Sequence, residues 1–505
     1  MSLRRFSFGL LLVAAAGCMG GSPPEPVQEE VRVAKAPVRA FAELRVSAGP
    51  ELDYVDPALA LTAASWTLLW QVHVGLVTFR HAPGTAGTEI VPALADDLPE
   101  ISDDGLVYAF RLRAGLVYSD GQAVRAGDVR YAVERLRRIE SPGAHWFDVV
   151  RGIEADDAAR TVEFRLAEPQ PDFLDLLATP LAAPVPRGTP PLEQRRRLLP
   201  STGPYRVELF VPRQEVVLVR NPRFRPVPGV PVGNAARIHV SLSGGGEAAD
   251  YVLRGGGPEL SFVFLNTQLP PFDRLEARRA VAFAVDRRAL AAAVGDGARP
   301  TENVLPAEVP GYARHLVYRR SLPRARRLVR LAEAGGVRVT VWSSADPASR
   351  RPARLLGTEL RDLGLAVRYR QLPAADFYRT VAGRLPRAQI GVASWSSPLP
   401  HPFRWFDPLL NGDRLGQAPN TNLSHADDPE LNERLADLRL RPLLTEEVVP
   451  AWAELDRLAV ARALIVPFAV RSPEGEAGPR LDPSCRAGHV VFGVDLARLC
   501  TKRGR

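Results

Sequence analysis

The sequence predicts an α/β protein with more than one domain, on the basis of three observations. The chain has 505 residues, 46% of them hydrophobic and 24% charged, which is an ordinary globular composition over a length sufficient for two or three domains. Strand patterns joined through turn residues occupy much of the first half. From residue 335 onward, strand patterns alternate with helix patterns, which is typical of an α/β lobe.

Elements in the first half are predicted from turn residues and side-chain spacing. After a turn signal at 103–105, Tyr108, Phe110 and Leu112 occupy every second position, as in a half-buried strand. A helix pattern begins near Asp128 and carries apolar residues on one face. Further strands are predicted at 161–166, 205–210 and 215–220.

The second half shows longer helix patterns. A continuous apolar run at 260–265 predicts a buried strand. Asp273 is expected to cap a helix whose inward face includes Val281. Gly364 stands where a glycine commonly ends a helix. We therefore predict a helix over 352–363, a strand over 365–372 and a helix over 374–381.

The amino terminus has the order of a secretory signal. Arg4 and Arg5 precede an apolar stretch at 6–16, which is too short for a membrane span of about 20 residues. The small residues 15–17 before Cys18 resemble a bacterial lipobox, so we expect residues 1–17 to be removed and Cys18 to carry lipid. An ordinary signal followed by an incidental cysteine is the alternative.

Residues 18–40 are rich in proline, glutamate and small residues, and we interpret them as a flexible tether to the membrane. The net charge is +8, but no dense basic block with interleaved aromatic residues is present, so no nucleic-acid partner is predicted. Cys485 and Cys500 are the remaining cysteines, and outside the cytoplasm such a pair suggests a disulfide. A zinc ribbon would need four ligands in close pairs, so no metal site is expected.

Motifs for catalysis are missing from the sequence. Lys35 and Lys502 are the only lysines and neither stands in a phosphate-binding Gly-Lys-Ser/Thr context. The sequence also has no HExxH zinc motif and no GxSxG nucleophile motif. We therefore predict no catalytic residue, no cofactor and no enzyme activity.

Five stretches then carry a resemblance to a known family. They are 92–136, which contains Ser119-Asp120-Gly121; Thr202-Gly203-Pro204-Tyr205 with Arg220-Asn221-Pro222; 264–287, which opens with Phe264-Leu265-Asn266-Thr267; Gly364-Leu365 with the strand ending in Trp395; and Phe492-Gly493-Val494-Asp495-Leu496. In this order they resemble family 5 of the bacterial extracellular solute-binding proteins, the peptide- and nickel-binding group. The resemblance covers about residues 42 to 500.

The resemblance implies an α/β fold of the periplasmic-binding-protein type, a type II-like clamshell of two lobes with an extra domain inserted in lobe one. The implied bounds are 41–75, 201–265 and 465–505 for lobe one, 76–200 for the inserted domain and 266–464 for lobe two.

The implied function is that of a lipid-anchored, monomeric substrate-binding protein of an ABC importer. It would bind peptides or a related small solute and deliver them to a permease at the outer face of the cytoplasmic membrane. The segment 243–259 is shorter than is usual in the family. A sensory or scaffold protein that reuses the clamshell without transport is therefore the alternative.

The resemblance also points to ligand-binding residues, namely Trp395, Ser396, Ser397 and Asn266. Trp395 either lines the cleft or packs in the core, and Asn266 binds either ligand or neighbouring backbone. A lone histidine such as His401 is expected to be structural or solvated. Four other tryptophans are expected in the core, namely Trp66, Trp70, Trp405 and Trp452.

Pro398 departs from the family pattern. Peptide-binding members carry an aspartate at this position that resembles a salt-bridge partner for the peptide's amino terminus, and proline has no such group. Because an unpaired buried ammonium is costly, the sequence predicts an uncharged or weakly charged solute. The alternative is that a carboxylate from elsewhere in the chain reaches the amine.

The lipid anchor is testable through Cys18. We expect Cys18→Ser to move the protein from membrane to soluble fractions, because the thiol is the expected site of lipid attachment. Cell fractionation and immunoblotting measure this shift. Unchanged membrane association, with an unprocessed precursor in both forms, would contradict the expectation.

Overall fold

The computed structural model describes residues 41–49, 52–190, 198–243, 249–254, 256–295, 297–383, 388–417, 420–472, 475–485 and 487–502. The expected signal peptide, Cys18 and the tether lie outside these ranges. Among the helices of the described ranges, none combines the length and apolar character needed to cross a bilayer.

Strands and helices are numbered separately in chain order. The strands are β1 (Phe41–Ser47), β2 (Val77–Phe79), β3 (Ile90–Pro92), β4 (Glu100–Ile101), β5 (Val107–Arg111), β6 (Val150–Asp156), β7 (Thr161–Leu166), β8 (Tyr205–Val211), β9 (Glu215–Arg220), β10 (Ala235–Ser241), β11 (Tyr251–Val252), β12 (Glu259–Leu265), β13 (Ala298–Pro300), β14 (Arg338–Ser344), β15 (Ala366–Leu372), β16 (Ile390–Ser396), β17 (Ile465–Arg471), β18 (Glu476–Ala477), β19 (Gly488–His489) and β20 (Gly493–Val494). The helices are α1 (Ala63–Leu69), α2 (Ala126–Arg138), α3 (Phe173–Leu177), α4 (Leu275–Ala284), α5 (Arg287–Val294), α6 (Leu322–Leu331), α7 (Pro347–Asp362), α8 (Ala374–Val381), α9 (Phe403–Leu410), α10 (Pro429–Arg439) and α11 (Val448–Ala461).

The first large sheet has the strand order β18-β11-β1-β10-β9-β8. β1 runs parallel to β10 and β11, and its buried Leu44 and Val46 lie opposite Ile238 and Val240 of β10. β8 and β9 form the predicted hairpin, whose turn holds Arg213 at a φ of 62°. This sheet is the framework of lobe one.

A four-stranded sheet, β4-β5-β7-β6, lies in the segment expected as an inserted domain. Tyr108 and Phe110 of β5 are buried, as their alternation predicts. The turn before β5 contains Gly105 at a φ of 68°, a conformation that glycine adopts at little cost. α2 covers this sheet with a buried apolar stripe that includes Val129 and Val133.

The second large sheet has the order β13-β17-β12-β16-β14-β15. β12 lies between β17 and β16 and pairs antiparallel with both. Its buried residues form a continuous run from Leu260 to Leu265, which explains why the sequence there is apolar without alternation. α5 and α7 pack on this sheet to complete lobe two.

Sheet membership corrects two of the expected boundaries. β12 and β17 hydrogen-bond within the lobe-two sheet, so the chain crosses between the lobes before Glu259 and after Arg471. The family resemblance implied crossings after 265 and after 464, which assigned both strands to lobe one. The segment 76–200 also shares one apolar core with the lobe-one sheet, whereas lobe two has a core of its own.

Other expectations concern the tryptophans and the cysteines. The four tryptophans expected in the core are at most 4% exposed, which confirms their structural role.

Cys485 and Cys500 are joined as a disulfide with Cα atoms 5.5 Å apart. This bridge lies in the carboxyl-terminal tail of lobe one, where the Asp482 amide also donates to the Cys500 carbonyl over 2.9 Å.

A buried ion pair ties α2 to the loop before α1. Arg135 Nη1 and Nη2 donate to the two carboxylate oxygens of Asp56 over 2.9 and 2.6 Å, and both side chains are 1% exposed. Asp56 also accepts from the Ala58 amide over 3.0 Å. Because this pair is bidentate and almost free of solvent, removal of one partner leaves a buried charge uncompensated.

We expect Arg135→Met to lower the free energy of unfolding by about 3 kcal/mol or more, because Asp56 then loses its cation. Arg138→Met is the matched control, since Arg138 pairs with Glu134 at the exposed surface and such pairs contribute about 0.5 kcal/mol or less. Urea unfolding measures both. Equal effects of the two substitutions would contradict the prediction.

Candidate functional site

A cavity of about 600 Å³ lies between the two lobes, and we call it the inter-lobe cavity. Its lobe-one wall includes Thr85, Thr88, Glu89, Ile90, Leu174 and Asp175. Its lobe-two wall includes Val309, Pro310, Tyr312, Leu443, Leu444 and Val449. Hydroxyl and carboxyl groups thus lie on one side and a mainly apolar surface lies on the other. This volume is in the range that holds a small organic ligand.

The carboxyl of Asp175 is the most buried ionisable group of this cavity. Asp175 belongs to the short helix α3 and is 5% exposed. Burial raises the pKa of the Asp175 carboxyl well above its ordinary value, and the neighbouring Asp172 raises it further, while Arg404 opposes the shift. Asp175 is therefore a poorly compensated acid at a surface that both lobes share.

Ion pairs connect the lobes beside this acid. Arg404 of α9 in lobe two donates through Nε to the fully buried Asp172 of lobe one. The Arg404 guanidinium also lies 5.8 Å from the ring centroid of Trp146 in lobe one. A second pair, at 3.2 Å, joins Arg439 of lobe two to Glu168 of lobe one. These contacts hold α9 and α10 against the segment that leads into α3.

Trp395 and Ser396 line a different cavity, of about 810 Å³, which we call the lobe-two cavity. Its described lining residues all come from lobe two and include Phe262, Tyr378 and Leu409. The Trp395 indole donates to the Arg404 carbonyl over 2.9 Å, which fixes the ring beside α9. Trp395 is thus half-buried at a cavity and is not enclosed in the core.

Ser397 and Pro398 lie where the lobes are in close contact. The Ser397 hydroxyl donates to the Leu399 carbonyl over 2.8 Å and accepts from the Leu399 amide over 3.1 Å. Leu399 is 1% exposed and belongs to the lobe-one core although the chain here leaves a lobe-two strand. Only a gap of about 10 Å³ remains beside Pro398, so a ligand contact by Ser397 stays a prediction that this packing does not favour.

Asn266 lies far from these residues, which corrects the expectation that it joins them. Antiparallel pairing places Ser396 opposite Glu259 and Ile390 opposite Leu265, so Asn266 and Trp395 occupy opposite ends of the strand pair, about 20 Å apart at about 3.3 Å per residue. The Asn266 side chain donates to the Ala388 carbonyl over 3.2 Å and accepts from the Gln268 amide over 3.0 Å. Asn266 therefore binds neighbouring backbone, the second of the two roles left open above.

A cavity of about 380 Å³ lies near the chain crossings between the lobes, with Glu308 on its wall. Glu308 accepts from the Ser472 hydroxyl over 2.8 Å and pairs with Arg299 at 3.3 Å. A cation thus already accompanies this carboxylate.

Sequence reasoning did not single out Asp172, Asp175 or Arg404. Their sequence context did contain a signal. Asp172 borders the apolar run 173–183 and Asp175 lies inside it, while Arg404 stands between Phe403 and Trp405. A charge inside an apolar run requires a partner or a function. A single sequence does not show which distant residues meet.

A protein-family model describes the bacterial extracellular solute-binding proteins, family 5 middle region, and it matches residues 89–241 and 241–417. The chain belongs to this family. The resemblance to family 5 noted in the sequence is therefore confirmed. The expectation of a non-catalytic protein is confirmed as well, because members of the family are solute-binding proteins.

Individual relatives agree with this assignment. The chain is 23% identical over 402 residues to the "Probable D,D-dipeptide-binding periplasmic protein DdpA" of Escherichia coli, covering 72% of this chain and 77% of that protein. It is 25% identical over 443 residues to heme-binding protein A of Haemophilus influenzae, covering 75% and 78%. Among solved structures, the clavulanic acid biosynthesis oligopeptide binding protein 2 superposes with a TM-score of 0.77 at 23% identity, covering 92% of this chain and 96% of that one. This likeness confirms the two-lobed α/β fold.

His401 follows the junction of the lobes and is fully buried. Its Nδ1 accepts from the Phe403 amide over 3.2 Å, which supports the structural role expected for a lone histidine. Burial lowers the pKa of His401 to about 4, an effect that Asp172 opposes and Arg404 reinforces. Because the unfolded chain binds a proton at this site with a pKa near 6.5, stability falls as the pH decreases from about 6.5 toward 4.

We expect His401→Gln to remove roughly 2 kcal/mol of the stability loss that the parent shows between pH 7 and pH 5, at 1.36 kcal/mol per pKa unit. The comparison is of pH slopes, so a uniform loss of stability in the variant does not affect it. His145→Gln changes an exposed histidine and should leave the slope unaltered. Denaturant unfolding at several pH values measures the effect, and identical slopes for parent and His401→Gln would exclude it.

Proposed function

We propose that this chain is the extracytoplasmic substrate-binding lipoprotein of an ABC importer for peptides or a related small solute. It binds solute in the inter-lobe cavity and delivers it to a membrane permease. Lipid on Cys18 anchors the chain, and residues 18–40 act as the tether.

The inter-lobe cavity is the observation that carries this proposal. Its wall is formed by both lobes, so a bound solute contacts both of them at once. A solute that contacts both lobes stabilises them together, and such a closed form is what a permease can distinguish from the empty protein.

The names of the relatives bear on the class of solute. One relative is named for binding D,D-dipeptides and another for binding heme. These are organic solutes with both polar and apolar parts. The inter-lobe cavity combines the same two kinds of surface, which supports a peptide-like or similarly amphiphilic solute over an inorganic ion.

The proposal is tested with the solute that accompanies the purified full-length protein, identified by mass spectrometry and measured again by calorimetry. We expect Ala307→Trp to weaken its binding by about tenfold or more, which is about 1.4 kcal/mol. Ala307 is exposed and lines the inter-lobe cavity, so an indole there occupies solute space without disturbing the core.

Ala159→Trp is the matched control, because Ala159 is exposed in the turn between β6 and β7 and lines none of the three cavities described above. Equal binding by the parent and by Ala307→Trp would show that the solute does not bind in the inter-lobe cavity. Import of the identified solute should also require the chain. A solute that binds but enters cells equally well without the chain would favour the sensory or scaffold role.

A further inference from the structure

Asp175 is buried and at the same time lies on the wall of a cavity. Its side chain is 5% exposed and lies on the wall of the inter-lobe cavity. Within the described part of the chain, no other residue donates a hydrogen bond to its carboxyl, and its own amide is the hydrogen-bond donor that acts on it. A buried carboxylate without a partner is costly, so a protein that keeps one at a cavity has a use for it.

The surrounding charges do not neutralise this acid. Asp172 and Arg404 are the charged groups that act on Asp175. The Arg404 guanidinium is already engaged with Asp172, so one cation serves two acids. No lysine, arginine or histidine occurs among the described residues of the cavity wall.

The other acids near the lobe junction differ in this respect. Glu89, on the same cavity wall, pairs with Arg80. Glu308, at the cavity beside the chain crossings, pairs with Arg299. Asp175 is therefore the acid of these cavities whose charge has no dedicated cation in the described structure.

We infer that Asp175 is a recognition site for an ammonium group of the solute, whose apolar portion lies against the lobe-two wall of the inter-lobe cavity. This inference rests on the proposed function and narrows the solute to a small molecule that joins an amine to an apolar body, such as a short peptide with a free amino terminus.

The inference resolves the question raised by Pro398. The sequence predicted an uncharged or weakly charged solute unless a carboxylate from elsewhere reached the amine. Asp175 is such a carboxylate, and it comes from lobe one, whereas Pro398 follows the lobe-two strand β16. An ammonium at Asp175 is therefore held by lobe one, in a cavity that Pro398 does not line.

The electrostatics favour this pairing over a neutral ligand. Burial raises the pKa of the Asp175 carboxyl, with a further contribution from Asp172, which means that the ionised form is destabilised in the unliganded protein. A cation at hydrogen-bond distance favours the ionised form. The ammonium thus gains a charge-assisted contact in a site shielded from water, where such contacts are strongest.

The experiment presents the purified full-length protein with two tripeptide libraries of equal composition, one with free amino termini and one N-acetylated, and quantifies the retained peptides by mass spectrometry. We expect the parent to retain free peptides about tenfold or more above acetylated ones, a difference of about 1.4 kcal/mol. In Asp175→Asn this preference should disappear. Asp148→Asn, which changes an exposed acid of lobe one away from the cavity, should keep it.

Thermal unfolding of the unliganded variants separates recognition from a structural role. Since Asn is close to isosteric and removes an uncompensated acid, Asp175→Asn should keep or raise the Tm while losing the amine preference. A marked fall in Tm with the preference intact would make Asp175 a structural residue and overturn the inference. If the Asn variant fails to fold, Asp175→Ser replaces it in the same comparison.

The remaining outcomes distinguish this inference from the proposed function. Equal retention of both libraries by the parent, or an undiminished preference in Asp175→Asn, overturns the assignment of the amine. Retention of acetylated peptides, or of another solute without an amine, then leaves the proposed function intact. Retention of no solute, from either library or from a cell extract, overturns both.

Discussion

The antiparallel pair of β12 and β17 is the constraint on which the two-lobed arrangement depends. Both crossings of the chain between the lobes lead into this pair, at Glu259 and from Arg471, which lie opposite each other and form an ion pair. The crossings are thereby fixed side by side at one edge of lobe two. Gly256, at a φ of 106°, stands just before the first crossing enters β12, in a conformation that other residues rarely adopt.

Two ion pairs also connect the lobes through α9 and α10. Arg404 pairs with Asp172, and Arg439 pairs with Glu168. The first of these pairs has a fully buried acid and the second is partly exposed, so salt screens the second more than the first. The lobes are therefore joined by one pair that is shielded from solvent and one that is not.

The sequence predicted the elements well where local signals are strong. The alternation of Tyr108, Phe110 and Leu112, the glycine turn at 105 and the apolar run of β12 each produced the expected strand. Boundaries between lobes were predicted less well, because β12 reads as a buried strand in either sheet and only its pairing with β16 and β17 decides the matter. Strand pairing is a long-range property that composition and spacing do not encode directly.

The candidate site shows the same division between local and long-range information. Trp395 was left between the cleft and the core, and it is half-buried at a cavity whose described lining comes from lobe two. Asn266 was named with it as a ligand-binding residue, but the register of β12 and β16 places the two residues at opposite ends of the strand pair. Asp175 and Arg404 were not predicted, since they lie on different lobes and their sequence separation is large. Only a fold that brings α3 next to α9 reveals one cation shared by two acids.

The uncompensated acid also links solute binding to the position of the lobes. In the arrangement described here Asp175 is 5% exposed, and separation of the lobes would open the inter-lobe cavity beside it to water. Bringing the lobes together without a cation at Asp175 therefore has a desolvation cost that opposes the ion pairs of α9 and α10. If Asp175 binds an ammonium group, as inferred above, a cationic solute removes that cost and contacts both walls, and its affinity is then greater for the joined lobes than for the separated ones. A ligand shifts a conformational equilibrium only through such a difference in affinity, and under the inference drawn above the Asp175 carboxyl is the group that provides it.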